Sequence, residues 1–181
     1  MSGHSKWAQI KHKKAATDAH KSKIYGKIAR MISVAVRERG TDPVLNSALR
    51  VAVEKAKEAN MPSDNIERAI KKASGGEKEA LQELLFEAYG PGGAAIIITA
   101  ITDNSNRTTS EIKHVLSKHD AKLAGQGAAK FLFTKTEHGW EAQTMLPVGK
   151  DDEKKLLRLF DELDEREDVQ EIYSNVDFSK E

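Results

Sequence analysis

The sequence predicts an α+β protein, with a basic three-helix bundle over residues 1–76 followed by an acidic α/β sandwich over residues 77–181. Three observations carry that expectation. Apolar residues recur at helical spacing through most of the first 75 positions. Beyond them, short apolar runs alternate with amphipathic helical stretches and turn residues. The charge changes sign at the same place: residues 1–75 hold 16 Lys and Arg against 7 Asp and Glu, and the remainder hold 13 against 21.

The first helix is expected between Lys11 and Arg39, where there is no proline and Gly26 is the only glycine. Ile24, Ile28, Met31, Ile32 and Ala35 form one apolar stripe. Lys23, Lys27, Arg30 and Arg37 fall within another narrow sector at about 100° per residue, so one side reads as core and another as a basic strip. Gly40 ends this helix as a glycine just past a C-terminus does. Asp42-Pro43 has the form of an N-cap followed by proline in the first turn. A second helix then runs through Leu45, Ala48, Leu49, Ala52, Val53 and Ala56. Pro62-Ser63 opens a third, with Ile66, Ala69, Ile70 and Ala73 inward and Gly75-Gly76 at its end. So much alanine implies close helix approach and a thin core.

The boundary is expected near Gly75 to Glu79. After it, Leu84 to Ala88 reads as a strand, Tyr89-Gly90-Pro91-Gly92-Gly93 as a turn, and Ala94 to Thr102 as an isoleucine-rich strand. Asp103 to Asn106 has turn and cap chemistry. Arg107 to His119 is a helix with Ile112, Val115 and Leu116 inward. Strands are expected at Ala128 to Thr134 and Gly139 to Leu146. Asp151 to Arg166 is an acidic amphipathic helix carrying Leu156, Leu157, Leu159, Phe160 and Leu163, and Val169 to Tyr173 is the last strand. The alternation suggests a ferredoxin-like arrangement.

Composition narrows the function. Apolar residues make up 39% and charged residues 31%, as in a soluble globular protein. No apolar run approaches the ~20 residues of a membrane span, and no apolar segment of the secretory kind follows the basic start. There is no cysteine, which excludes disulfides and thiolate metal sites and is compatible with the expected cytoplasmic location.

No catalytic constellation emerges. Gly90-Pro91-Gly92-Gly93 lacks the ending of a phosphate-binding loop and reads as a tight turn. His4, His12 and His20 are eight apart, and His114 and His119 five apart, neither being the spacing that chelates zinc on a helix. Asp151-Asp152-Glu153 complements a helix N-terminus. Asp103, Asn104 and Asn106 lack the rest of a calcium loop. No enzyme, metal or cofactor is expected.

The residues that ask for a partner are at the beginning. Residues 1–30 hold Lys6, Lys11, Lys13, Lys14, Lys21, Lys23, Lys27 and Arg30 against Asp18 alone. Trp7 sits among these cations. It either folds back over the bundle core or stacks on a base while the lysines hold phosphates. His4, Lys6, Trp7, Lys11, His12, Lys13, Lys14, Lys21, Lys23, Lys27 and Arg30 are therefore the candidate nucleic-acid-binding residues.

Several motifs occur in order: Gly3-His4-Ser5-Lys6-Trp7 with Ile10-Lys11-His12-Lys13-Lys14; Asn60-Met61-Pro62; Asn65-Ile66-Glu67-Arg68-Ala69-Ile70; Glu87-Ala88-Tyr89-Gly90-Pro91-Gly92-Gly93; Asp103-Asn104 with Asn106-Arg107-Thr108; and Asp168-Val169-Gln170-Glu171-Ile172-Tyr173. Together they make the chain resemble the YebC-type regulatory proteins, whose mitochondrial relatives are translational activators. The resemblance implies a helical first domain, an α/β second domain and a role in gene expression. Members are described both as DNA-binding transcriptional regulators and as ribosome-associated factors that help difficult sequences, notably proline runs, through translation. This chain departs in one respect. Family members carry a third domain between the strand ending near Lys135 and the strand near Trp140 to Leu146, whereas here Thr136-Glu137-His138-Gly139 joins them.

Three functions follow as expectations. The first is RNA or ribosome binding through the basic arm. The second is duplex DNA binding with weak sequence preference, because a mostly lysine surface holds phosphate rather than reads bases. The third is a protein adaptor whose helix from Asp151 to Arg166 docks a basic partner such as a ribosomal protein. A monomer is expected.

Overall fold

The structure, a computed structural model, describes residues 17–76 and 80–178. These form an α+β protein that divides into two compact units. The helical unit comprises residues 17–76 and 80–83 with Ile101–Asp103, and the sheet unit comprises Leu84–Ala100 with residues 104–178.

Three helices make the first unit: α1 (Asp18–Arg39), α2 (Ser47–Glu58) and α3 (Ser63–Ser74). The Thr17 hydroxyl accepts from the His20 N–H and caps α1, and Gly40 ends it with φ 85° while its N–H bonds to Val36 O. Ile28, Ile32, Ala35 and Val36 of α1 pack on Leu49, Ala52 and Ala56 of α2, with Met61 and Ile66, and Ile24 and Met31 border them. The expected stripe is therefore the one that forms the core.

The second helix starts later than Asp42-Pro43 suggests. Asp42 instead closes a turn, its carboxylate accepting from Val44 N–H and its carbonyl from Leu45 and Asn46 N–H. The cap is Asn46, fully buried, whose side-chain oxygen accepts from Leu49 N–H while its amide donates to Ala35 O and Gly40 O, each at 2.8 Å. Val44 and Leu45 are left exposed. At the next junction Asn60 takes a left-handed φ of 56°, which asparagine tolerates better than most residues, and its carbonyl accepts from the Tyr25 hydroxyl.

The sheet unit is built on β1 (Gln82–Tyr89), β2 (Ala95–Thr102), β3 (Lys122–Leu123) and β7 (Val169–Ser174), in the order β3-β1-β2-β7, with β3 antiparallel to β1 and β7 antiparallel to β2. Like the ferredoxin-like arrangement it lays two helices on one four-stranded sheet; here the hairpin strands β1 and β2 take the centre. α4 (Ser105–Lys118) and α5 (Lys150–Asp164) bury Ile112, Val115, Leu116, Leu156, Leu159, Phe160 and Leu163 against Ile96 and Ile98. The opposite face, with Ala95 and Ile97, is covered by Ala129 and Phe133 and by the hairpin β4 (Phe133–Thr136) and β5 (Gly139–Ala142). Cover on both faces explains why β2 is an unbroken apolar run.

Local bonds fix the corners. The turn after β1 takes positive φ at Gly92 and Gly93, as expected of that glycine cluster. Asn104 caps α4 by accepting from Arg107 N–H. Buried Asp168 accepts from Arg107 at 3.0 Å and from the Thr108 hydroxyl at 2.7 Å, which joins two motifs some sixty positions apart into one knot.

The strand expected from Ala128 to Thr134 begins only at Phe133, after a turn and a short 3-10 segment, Lys130–Leu132. Glu87 is the reason. Its buried carboxylate accepts from Gly127 N–H at 2.6 Å and from Ala129 and Lys130 N–H at 2.7 Å each, which curls that stretch around one side chain. Burial alone would raise this carboxyl's pKa, but the three N–H groups and the charge of Lys130 hold it below its ordinary value. The strand expected from Gly139 to Leu146 is also interrupted. It ends at Ala142, and the separate β6 (Leu146–Pro147) pairs in parallel with β8 (Val176–Asp177).

Gly139 has φ 134° and presses against the Tyr173 ring, so that a β-carbon there would overlap the phenol. Gly139→Ala is expected to destabilise the sheet unit by about 2 kcal/mol through backbone strain and overpacking. Denaturation followed by Trp140 fluorescence in a Trp7→Phe background would check it. An unchanged midpoint would show that the hairpin tip relaxes freely.

Candidate nucleic-acid interface

The residues expected to meet nucleic acid fall in two groups. His4, Lys6, Trp7, Lys11, His12, Lys13 and Lys14 lie outside the described residues. Lys21, Lys23, Lys27 and Arg30 lie on successive turns of α1. Lys21 is exposed, Lys23 and Arg30 are half-buried, and Lys27 is only 9% exposed.

The strip of Lys23, Lys27, Arg30 and Arg37 is thus not a continuous solvated face. Arg30 donates to Ile101 O at 3.0 Å, and Arg37 donates to Leu81 O. Val34 and Met31 pack on Leu81 and Ile101, so α1 is held on a second side as well as by α2 and α3. Periodicity along one helix marks its strongest apolar stripe, and this second contact is made with residues far along the chain.

Arg30 and Arg37 commit guanidinium N–H groups to backbone carbonyls of the protein itself. The exposed lysine of this group, Lys21, stands in the amino-terminal turns of α1. Lys55 and Lys57 in the last turn of α2, and Lys71 and Lys72 in the last turn of α3, have a simpler role opposite the helix dipoles.

Among the described residues, no group of three or more His, Asp or Glu side chains is arranged to hold a metal ion. No described helix is long and apolar enough to cross a membrane. The motif residues Glu87, Asn60, Asn104, Arg107, Thr108 and Asp168 are engaged in the bonds given above. Their spacing in the sequence carries no sign of that, because each bond closes through the fold.

Comparison with known proteins gives a consistent picture. Residues 5–76 match a family model described as the TACO1/YebC protein N-terminal domain. Residues 81–138 and 134–176 match, in two pieces, one described as the TACO1/YebC second and third domain, and the pieces meet at the β4–β5 hairpin. A probable transcriptional regulatory protein of Pseudothermotoga lettingae is 57% identical over 135 residues, which are 74% of this chain and 53% of that protein. One of the same name from a Hydrogenobaculum species is 44% identical over 183 residues, covering 97% of this chain and 71% of its own. Another, from Kosmotoga olearia, is 39% identical over 236 aligned positions, covering 97% and 94%. That alignment is longer than the 181 residues of this chain, so the relative carries residues with no counterpart here. The chain spans about half the length of the first of these relatives. The crystal structure of a conserved hypothetical protein of Aquifex aeolicus superposes with a TM-score of 0.83 at 33% identity, covering 98% of each chain.

Proposed function

This chain belongs to the TACO1/YebC family, and on that footing we propose that it is a non-enzymatic, cytoplasmic regulator of gene expression that binds RNA at the ribosome. The observation that carries the proposal is the charge at its beginning, where eight cations face Asp18 alone within residues 1–30. Lys6, Lys11, Lys13 and Lys14 neutralise phosphates, and Lys21 and Lys23 extend that contact onto α1. Trp7 stacks on an exposed base or ribose. Lys27 and Arg30 supply field rather than contact, since one is buried and the other bonds to Ile101 O. An arm of this kind needs no dimer symmetry and no recognition helix, so a monomer suffices.

A second reading is a DNA-binding transcriptional regulator. The names of the relatives favour it, each being called a probable transcriptional regulatory protein. Lysine-rich contact would then give weak sequence preference. A third is an adaptor whose α5, acidic at Asp151, Asp152 and Glu153, docks a basic ribosomal protein.

Affinity for ribosomes and for a plain DNA duplex, measured side by side across a salt series, separates the first two. Changing Lys11, Lys13 and Lys14 together to Ala is expected to weaken ribosome binding at least about tenfold. On B-DNA it is expected to reduce the salt slope by about 0.9 for each phosphate no longer neutralised. If ribosome binding withstands physiological salt and requires Trp7 while DNA binding does not, the RNA reading holds. Equal retention of DNA with a silent Trp7→Ala favours the transcriptional reading. Charge reversal on α5 that abolishes ribosome binding with RNA affinity intact favours the adaptor.

A further inference from the structure

The sheet face turned away from α4 and α5 is covered unevenly. Over β2 and β7, Trp140 and Ala142 of the hairpin accompany Ile97 and Tyr173 in a small core. Over β1 and β3 the cover is thinner. Leu85, Glu87 and Tyr89 alternate onto this face, and Lys122 joins them by pairing with Tyr89. A cavity of about 300 Å³ opens there, lined by Leu85, Glu87, Ala124, Gln126 and Lys130. That volume is at the lower end for ligand pockets. Phe131, next in the chain to Lys130, is 65% exposed, and Leu85 is 40% exposed.

Three lysines stand exposed on this side, and by the same alternation one exposed acid of β1, Glu83, shares the face with them. Lys122, Lys130 and Lys135 are all exposed. The Lys130 and Lys135 ammonium groups stand 5.2 and 5.9 Å from the Trp140 ring centroid, which fixes cations beside the loop that presents Phe131. The acid in the cavity wall, Glu87, directs both oxygens at backbone N–H groups. Glu171, on the same face, lies on the far edge strand β7, and the acidic first turn of α5 is on the other side of the sheet.

We infer that this face is a second nucleic-acid site, taking an unpaired base of single-stranded RNA on Phe131 with the adjoining phosphates at Lys122 and Lys130. Only an unpaired base offers a free π-face to an exposed phenylalanine, and flanking cations then follow the backbone. The Gln126 amide both donates and accepts, as contact with a base edge or a 2′-hydroxyl requires. The preference for RNA rests on the function proposed above, but the site uses residues other than those of the amino-terminal segment and is tested separately.

The probe is a fluorescein-labelled oligouridylate of about twelve nucleotides, within the range such surfaces cover, titrated with the full chain and read by anisotropy. Phe131→Ala is expected to weaken binding about tenfold, the value of roughly one stacked base, with the salt slope unchanged. Phe131→Tyr is expected to restore it. Lys122→Ala is expected to reduce the slope by about 0.7. The triple variant at Lys11, Lys13 and Lys14 serves as the arm control. Weakening in that control alone overturns this site while leaving the arm intact. Weakening in Phe131→Ala alone supports the site and counts against the arm. Binding by Phe131→Ala within about twofold of the unaltered protein, equal weakening toward duplex RNA, or a thymidine oligomer held as tightly as uridine overturns the assignment. Phe131 is exposed, so far-UV circular dichroism is expected to show all variants folded.

Discussion

Replacing Glu87 by alanine is expected to destabilise the sheet unit by about 3–4 kcal/mol. Three buried or half-buried N–H groups lose their acceptor together, and an orphaned buried donor costs roughly 1–3 kcal/mol. The sum is less than additive, because a loop released from one side chain hydrates part of its own backbone. Glu87→Gln keeps the shape but turns an amide N–H toward one of the donors, so about half the loss is expected. The pH dependence gives an independent reading. The folded-state pKa of Glu87 is lowered from 4.5, so its contribution is complete above that value and is lost as pH falls through the lower folded-state pKa. The gap between the unaltered protein and Glu87→Gln is therefore expected to narrow as pH falls below the ordinary carboxylate value of 4.5. Chemical denaturation in a Trp7→Phe background, followed by Trp140, measures both effects. Coincident denaturation curves at neutral pH would remove the carboxylate cradle from the account.

In the helical unit the largest single polar effect is expected at Asn46. Asn46→Ala removes an N-cap worth about 1 kcal/mol. It also leaves Ala35 O and Gly40 O without their donor, at about 1 kcal/mol each. A loss of about 3 kcal/mol in thermal or denaturant unfolding, read by far-UV circular dichroism, is the expected result. Asn46→Asp sharpens the test. Aspartate caps helices as well as asparagine does, so a simple cap would be rescued. Here the carboxylate would face two carbonyl oxygens, and the loss is expected to equal or exceed that of alanine. An aspartate variant as stable as the original would show that the cap is the whole of Asn46's contribution.

Asn46 also illustrates what a sequence conceals. Asp42-Pro43 has the N-cap and proline of a helix start, yet α2 begins after Asn46, whose side chain caps it and also reaches two carbonyls across the corner from α1. The stretch from Ala128 to Thr134 has strand composition, yet its backbone donors are captured by a residue some forty positions earlier. The main elements are legible wherever one apolar stripe faces one partner. Ile28, Ile32 and Ala35 occupy the helical core, and Ile112, Val115 and Leu116 the other. Legibility fails where an element has two partners, as on α1, where Lys27 and Arg30 read as solvent-facing but lie against protein. The candidate site on the sheet face is not legible at all. Leu85, Gln126 and Lys130 are scattered through the sequence and line one cavity only through the fold and the loop held by Glu87.

The β4–β5 hairpin has a meaning for how such chains change length. Thr136 and Gly139 are paired neighbours across the strands, and the two pieces of the family match meet at this tip. A foreign module whose own ends lie close together could be spliced there without altering the register of Phe133 with Ala142 or Lys135 with Trp140. The entropic penalty grows only with the logarithm of the added length, about 0.6 kcal/mol per doubling. The hairpin tip is a socket: a module with closely spaced ends inserted there by design is expected to leave the sheet beneath folding as before.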